Sequence, residues 1–276
     1  MGREVAQGIR QAVKETRLDA YLIGENFFDA TEQLQGDQWD GVMNYLGLMR
    51  PLIHWLRGYQ QGAHGLKEPI TSPAPWRTRA MEYTWREIRS SIPWTIALQQ
   101  YNLIGSHDTS RIRTKLGNNG ALHRLAAIVQ FTYPGVPGIY YGDEIGMVDA
   151  PGLEARACMN WDEKTWDFKL LEFYRRLIAL RRSSSILQRG GFQMLAVEED
   201  GFAYQREGIN GRILVIAWRN ANPRPAGPLA VAHGGIPDGC RFREYFSGAT
   251  CVVRDGNLWL PEQEQGATLW VGDILS

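Results

Sequence analysis

The chain is 276 residues long, 44% hydrophobic and 22% charged, and its 30 Lys and Arg balance 30 Asp and Glu to a formal charge of zero. That much apolar material argues against intrinsic disorder, and the lack of a basic surplus removes the sequence-independent pull toward nucleic acid. No apolar run approaches the ~20 residues needed to span a bilayer, the first ten residues lack the apolar stretch of a secretory signal, and the length suggests about two domains.

In chain order, Val5, Ile9, Ala12 and Val13 recur at helical spacing, with Arg10, Lys14, Glu15 and Arg17 on other faces, which predicts an opening helix. Short apolar runs follow that read as buried strands: Ala20–Gly24, Gly41–Asn44, Tyr101–Gly105 and Gly138–Tyr141. Leu122, Leu125, Ala126 and Val129 predict a helix between the third and fourth runs, and Leu170, Tyr174, Leu177 and Ile178 predict another after the fourth. Strand and helix alternating with buried strands is the pattern of a parallel α/β unit. Residues 46–94 are rich in Pro, Trp and Arg, with Pro69, Pro73, Pro75 and Pro93 interrupting any single helix, so an elaborated loop with some helix is expected there.

The pattern changes near Ser183-Ser184-Ser185. Short runs at Phe192–Val197, Phe202–Arg206, Ile213–Trp218, Arg241–Phe246, Cys251–Arg254, Leu258–Leu260 and Thr268–Val271 are separated by turn residues, among them Asn210-Gly211, a strong hairpin signal. This predicts a small antiparallel β-sandwich over residues 186–276, behind an α/β region over 1–185. Cys158, Cys240 and Cys251 are odd in number and contain no CxxC pair, which favours free thiols in a reducing, cytoplasmic setting. No phosphate-loop, dinucleotide, nucleophile-elbow or zinc-helix motif occurs, so neither cofactor nor metal is expected. The Arg175-Arg176 and Arg181-Arg182 pairs fall on a predicted helix and read as its solvated face.

In α/β barrels the catalytic groups lie at the C-terminal ends of the strands. Here the first run ends in Gly24-Glu25, the third in Ser106-His107-Asp108-Thr109-Ser110-Arg111 and the fourth in Gly142-Asp143-Glu144, each bringing acids to one predicted rim. Taken singly, each acid is more readily a structural residue, such as a helix cap, than a catalyst.

Together the segments 21–25 (Tyr-Leu-Ile-Gly-Glu), 37–45 (Asp-Gln-Trp-Asp-Gly-Val-Met-Asn-Tyr), 105–109 (Gly-Ser-His-Asp-Thr) and 137–146 (Pro-Gly-Ile-Tyr-Tyr-Gly-Asp-Glu-Ile-Gly) resemble successive motifs of the α-amylase family of glycoside hydrolases, in its maltodextrin glucosidase, cyclomaltodextrinase and neopullulanase branch. The resemblance implies a (β/α)8 TIM barrel that hydrolyses α-glucosidic bonds with retention, through a general acid and a nucleophilic carboxylate. By motif match Glu25 is the general acid, which must hold its proton near neutral pH through partial burial or neighbouring carboxylates. Asp108 matches the third family carboxylate, which grips sugar hydroxyls, and His107 the histidine bonded to the same sugar. Phe27 stands where relatives carry a stacking Trp, Asn44 and Tyr45 are expected to shape the wall of the site, and Arg111 is expected to support the acids.

The family's nucleophilic aspartate, in a Gly-Phe-Arg-Leu-Asp type of motif, has no counterpart; Asp19, Asp29, Asp37 and Asp40 lie in other contexts. At about 31 residues per strand–helix unit of a ~250-residue barrel, that motif would fall just before Met1. The chain is therefore expected to be the C-terminal half of a barrel, strands five to eight, followed by the sandwich. Its open sheet edges would favour self-association or a partner supplying the other half-barrel. The expected substrate is an α-glucan oligosaccharide. The alternatives are one chain of a split enzyme and a non-catalytic glucan-binding protein.

Overall fold

Helix α1 (Arg3–Thr16) presents one basic face to one carboxylate. In the computed structural model, which describes residues 2–57, 76–209 and 211–272, Arg10 Nη1 and Lys14 Nζ reach the two oxygens of Asp40 at 2.7 and 2.8 Å. Asp40 also accepts the backbone N–H of Leu22 at 2.8 Å. A nearly buried acid thus ties the opening helix to the first strand, and these bonds hold its carboxyl below the usual carboxylate range against the opposing effect of burial.

Four very short strands follow. β1 (Ile23–Gly24) and β2 (Gly41–Val42) pair in parallel, with Ile23 opposite Gly41. A π-helical turn over Tyr45–Met49 leads into α2 (Arg50–Arg57), and α3 (Thr78–Ser90) and α4 (Trp94–Ala97) come next. β3 (Tyr101–Asn102) joins β2 through a parallel bridge between Met43 and Tyr101. After α5 (Ile112–Lys115) and α6 (Gly120–Thr132), β4 (Val136–Pro137) pairs in parallel with β3. The four strands therefore lie side by side in chain order. α7 (Phe168–Ser183) and α8 (Ser185–Arg189) close this part. Asn119, Asp167 and Ser184 cap α6, α7 and α8 by accepting exposed backbone N–H groups.

Two expectations are corrected here. The fourth strand is Val136–Pro137 rather than Gly138–Tyr141, because Gly138 N–H makes the last bond to β3, on Asn102 O, and β3 ends there. The stretch from 46 to 94 is largely helical where it is described; Trp55 and Trp85, fully buried, anchor α2 and α3 in the core. Pro69, Pro73 and Pro75 lie outside the described residues.

The remainder is antiparallel: β5 (Gly191–Val197), β6 (Gly201–Gly208), β7 (Gly211–Trp218), β8 (Gly227–Ala230), β9 (Arg241–Glu244), β10 (Thr250–Arg254), β11 (Asn257–Leu260) and β12 (Gly266–Gly272). They form one ladder in the order 5-6-7-12-9-10-11-8, whose end strands β5 and β8 meet around a shared core of Leu195, Leu214, Leu229, Phe242, Leu258 and Trp270. The eight strands thus form one continuous antiparallel sheet folded over on itself. β8 was not foreseen, since Gly227-Pro228 masks it; proline is tolerated because β8 ends the ladder. Asn210, of the Asn-Gly hairpin signal, lies outside the described residues. The three cysteines are free.

The two parts share a core. Phe202, Tyr204, Val215 and Leu269 pack in one cluster with Trp55, Trp85, Leu125 and Val129. Fully buried Arg206 bridges the seam, donating to the carbonyls of Gly190, Gly191 and Thr132 at 2.8–2.9 Å.

Candidate active site

The C-terminal ends of four parallel strands fall on one side of their array, and the loops leaving β1 and β3 carry the candidate acids. Glu25, directly after β1, is exposed and makes no hydrogen bond or ion pair among the described residues. The partial burial expected for a general acid is therefore not found at Glu25 among the described residues. Two residues on, Phe27 lies flat on Tyr45, ring centroids 4.4 Å apart and planes 18° from parallel. The Arg50 guanidinium sits against the same ring and donates to Phe27 O at 2.7 Å.

Tyr45 carries this contact to the next loop. Its hydroxyl donates to Ser106 Oγ at 3.0 Å, and Ser106 Oγ accepts the backbone N–H of Asp108 at 3.2 Å. Ser106 N–H in turn donates to Thr109 Oγ1, so the His107-Asp108 dipeptide sits at the tip of a tight, internally bonded turn. Stacking and hydrogen bonding thus connect the loop of Glu25 to the loop of Asp108.

Each oxygen of Asp108 has a side-chain neighbour. Its Oδ2 lies 3.2 Å from His107 Nε2, and its Oδ1 lies 2.7 Å from Arg156 Nη2. Arg156 Nε also donates to the carbonyl of His107 at 3.1 Å.

Three expected roles are corrected. Asn44 and Tyr45 do not form an open wall: Tyr45 is fully buried under Phe27, and Asn44 is buried with its amide on Asn102 Oδ1 at 2.9 Å. Phe27, only partly buried, is the ring left facing outward. Arg111 does support an acid, but that acid is Asp143 rather than Glu25 or Asp108. Nor do both acids after β4 reach the rim, because Asp143 is turned wholly inward.

Arg111 is itself fully buried, with the rings of Tyr140 and Tyr141 4.9 and 4.8 Å from its guanidinium carbon. It donates to Tyr141 O at 2.6 Å and Ala155 O at 3.2 Å, and lies 3.4 Å from Asp143 Oδ1. Burial pushes the Asp143 carboxyl up to about 7, against the pull of Arg111 and Lys115. Arg111 and Asp143 brace the loops from beneath and do not face solvent.

Sequence reasoning missed Ser106, Arg50 and Arg156 as parts of the site. Ser106 carried a signal, since it begins a Ser-x-x-Thr turn. Arg156 had none: it meets Asp108 across 48 residues of chain, in a stretch of irregular backbone. Among the described residues no group of three or more His, Cys, Asp or Glu is placed to hold a metal ion, and no helix is long and apolar enough to cross a membrane.

The family model for the alpha amylase catalytic domain matches residues 2–169. The chain is 34% identical over 213 residues to a cyclomaltodextrinase of Thermoanaerobacter pseudethanolicus, covering 77% of this chain and 34% of that protein. It is 32% identical over 266 residues to neopullulanase 2 of Thermoactinomyces vulgaris, covering 95% and 42% respectively. The chain thus spans well under half the length of these curated relatives. Among solved structures it is similar to a debranching enzyme of Nostoc punctiforme, with a TM-score of 0.81, 25% identity, and 96% of this chain covered by 53% of that one.

Proposed function

Because the chain belongs to the α-amylase family and carries that family's barrel-type glycosidase fold with a β-rich domain attached, we propose that it is the C-terminal part of a retaining hydrolase acting on α-1,4-glucosidic bonds of maltodextrins. In this reading β1 to β4 are the fifth to eighth barrel strands. Glu25 gives its proton to the glycosidic oxygen as the bond to the anomeric carbon breaks. A carboxylate outside this chain bonds that carbon, and water, returning its proton to Glu25, then releases the sugar. Asp108 and His107 grip the ring hydroxyls, and Phe27 offers its face to the leaving sugar.

The observation that carries this is the parallel, chain-order array whose one rim bears both Glu25 and the His107-Asp108 turn, with Phe27, Tyr45 and Ser106 connecting them. The outer edges of the array support the proposed partner, a first half-barrel that completes the sheet. Beyond β1 and β4 no further parallel strand pairs among the described residues. Beside β4 lies a hollow of about 540 Å³, lined by Phe131, Val136, Ile139 and Ile178 with Arg181 and Arg182. Its apolar lining suits side chains of a neighbouring barrel element packed beside β4.

Incubation with an aryl α-maltoside tests the proposal. The chain alone is expected to bind maltooligosaccharides without turning them over, and a polypeptide supplying the half-barrel with the aspartate motif is expected to restore hydrolysis. In the restored enzyme, Glu25→Gln should cost about 10²- to 10⁴-fold on unactivated glucans while sparing substrates with good leaving groups, since only the former need the proton. Turnover by the chain alone would overturn the missing-nucleophile reading, and equal rates for both substrate classes would reassign the acid.

A further inference from the structure

Away from the rim, the parallel half carries a buried cation that meets no acid among the described residues. We propose that Arg181, on the wall of the hollow beside β4, is a docking point for a carboxylate, carried by the element of the completing half-barrel that packs against β4. The inference rests on the reading of this chain as half of a barrel, and it names the polar chemistry of the partner's contact.

The sequence places Arg181 and Arg182 alike on a solvated helix face. The structure separates them: Arg182 is exposed, whereas Arg181, near the end of α7, is only 9% exposed. Arg181 Nη1 donates to the carbonyls of Phe131 and Leu187, and Nη2 donates to that of Gly135, so the guanidinium is held in place by α6, α8 and the turn into β4. These bonds use three of its five N–H groups, leaving Nε–H and one Nη2–H. Burial lowers its pKa to about 10, with no acid acting to raise it.

The other buried arginines among the described residues are matched internally. Arg111, Arg219 and Arg224 face Asp143, Asp200 and Glu198, and Arg206 places all three of its nitrogens on carbonyls. Arg181 has neither an acid nor a full set of acceptors, and it lines the hollow together with Leu98, Val136 and Ile178. A cation so placed is costly unless an opposite charge and hydrogen bonds meet it. The surroundings say what brings them. β4 has no strand on its outer side among the described residues, and Val136 is 40% exposed there. An unpaired strand edge recruits another strand, and an apolar wall recruits apolar side chains. The occupant is therefore a polypeptide element, with the carboxylate as its polar anchor. Leu98 precedes β3 and Val136 opens β4, so this contact reaches the N-terminal ends of the strands, apart from Glu25 and Asp108, which follow the C-terminal ends of β1 and β3.

Two measurements test it. On the 276-residue chain alone the probe is octanoate, a carboxylate with an apolar tail, and the Arg181 Nε–H resonance is followed by NMR. Octanoate should shift that resonance saturably and octanol should not. Arg181→Met should weaken octanoate binding by about tenfold or more, the scale of a charged hydrogen bond, while Arg189→Met, on the exposed end of α8, should bind as the parent does. A resonance that octanoate leaves in place, or that octanol moves equally, overturns the carboxylate site. Should Arg181→Met fail to fold, the octanol control decides this arm. In the second measurement, the chain carrying Arg181→Lys is co-expressed with the part of the matched cyclomaltodextrinase that lies N-terminal to the stretch this chain covers. Carbodiimide then joins the new amine to any carboxylate touching it, and mass spectrometry should find an amide between position 181 and an Asp or Glu of that polypeptide. A complex with no such cross-link overturns the acid contact and leaves the half-barrel reading standing. If the parent chain forms no complex at all, the half-barrel reading fails and the inference falls with it.

Discussion

The two halves of the molecule are held together by different means. In the C-terminal sheet the backbone does most of the work: β6 and β7 are each eight residues long and pair along their whole length, and β12 continues the ladder. In the parallel half each strand is two residues long, so the ladder contributes few bonds. Buried side chains supply the rest. Asn102 takes the amide of Asn44 and donates to Pro134 O, while Gln130 donates to Asn102 O and Gly138 O, so β3 and β4 are joined by amides as well as by backbone. A structure built on continuous ladders tolerates loss of one polar side chain, whereas one built on buried amides and ion pairs does not.

The largest effect should come where the halves meet. Arg206→Leu leaves the buried carbonyls of Gly190 and Thr132, and the part-buried carbonyl of Gly191, without their shared donor. At about 1–3 kcal/mol per orphaned group, the expected loss is about 3 kcal/mol or more in urea unfolding. If the halves unfold as one unit the transition should stay single; two separated transitions would show that Arg206 is the coupling. A loss below about 1 kcal/mol would mean that solvent reaches these carbonyls at once and the seam is apolar in origin.

Within the parallel half, Asn102→Ala removes one group that serves both β2 and the turn into β4. The expected cost is about 2 kcal/mol, from one orphaned donor on Asn44 and one orphaned carbonyl on Pro134. Gln193→Ala is the matched change in the sheet: it removes the acceptor of Gln205 on a ladder that remains intact, and should cost about 1 kcal/mol or less. Equal costs would erase the distinction drawn between the halves.

The same contrast decides what the sequence could tell. Strands paired along their length leave runs bounded by turn residues, so Phe202–Arg206, Ile213–Trp218 and Thr268–Val271 were all legible and all lie in observed strands. Strands of two residues leave only an apolar run ending at glycine. That places the element without fixing its register, which is why β4 was read two residues late. α2 and α3 were obscured because buried Trp55 and Trp85 sit among arginines that resemble loop composition. In the proposed site, strand ends and motif order single out Glu25, His107 and Asp108. Tyr45 and Asn44 were misjudged because sequence does not say that Phe27 folds over the one and Asn102 takes up the other. Arg156 and the Arg111–Asp143 pair were out of reach for the same reason: their partners are fixed by tertiary placement.

Asp143 offers the finest test of the side-chain-held half. Its carboxyl is wholly buried, and its contact with Arg111 at 3.4 Å is longer than the ~2.7–2.9 Å of a strong charge-assisted bond. Burial therefore outweighs the nearby cations, and the folded pKa rises to about 7 from an ordinary value of 3.8. The folded state then binds a proton that the unfolded state has released. Its contribution is fully present below about pH 4 and is lost as pH rises toward 7, at a slope no steeper than about 1.4 kcal/mol per pH unit. Asparagine at this position cannot ionise, so the stability of the parent minus that of Asp143→Asn should fall across this window and level off above it. The difference isolates this carboxyl from every other titrating group that the two proteins share. A difference that rises with pH would mean that the ionised Asp143–Arg111 pair is favourable, and that the buried polar layer under the rim stabilises through charge rather than in spite of it.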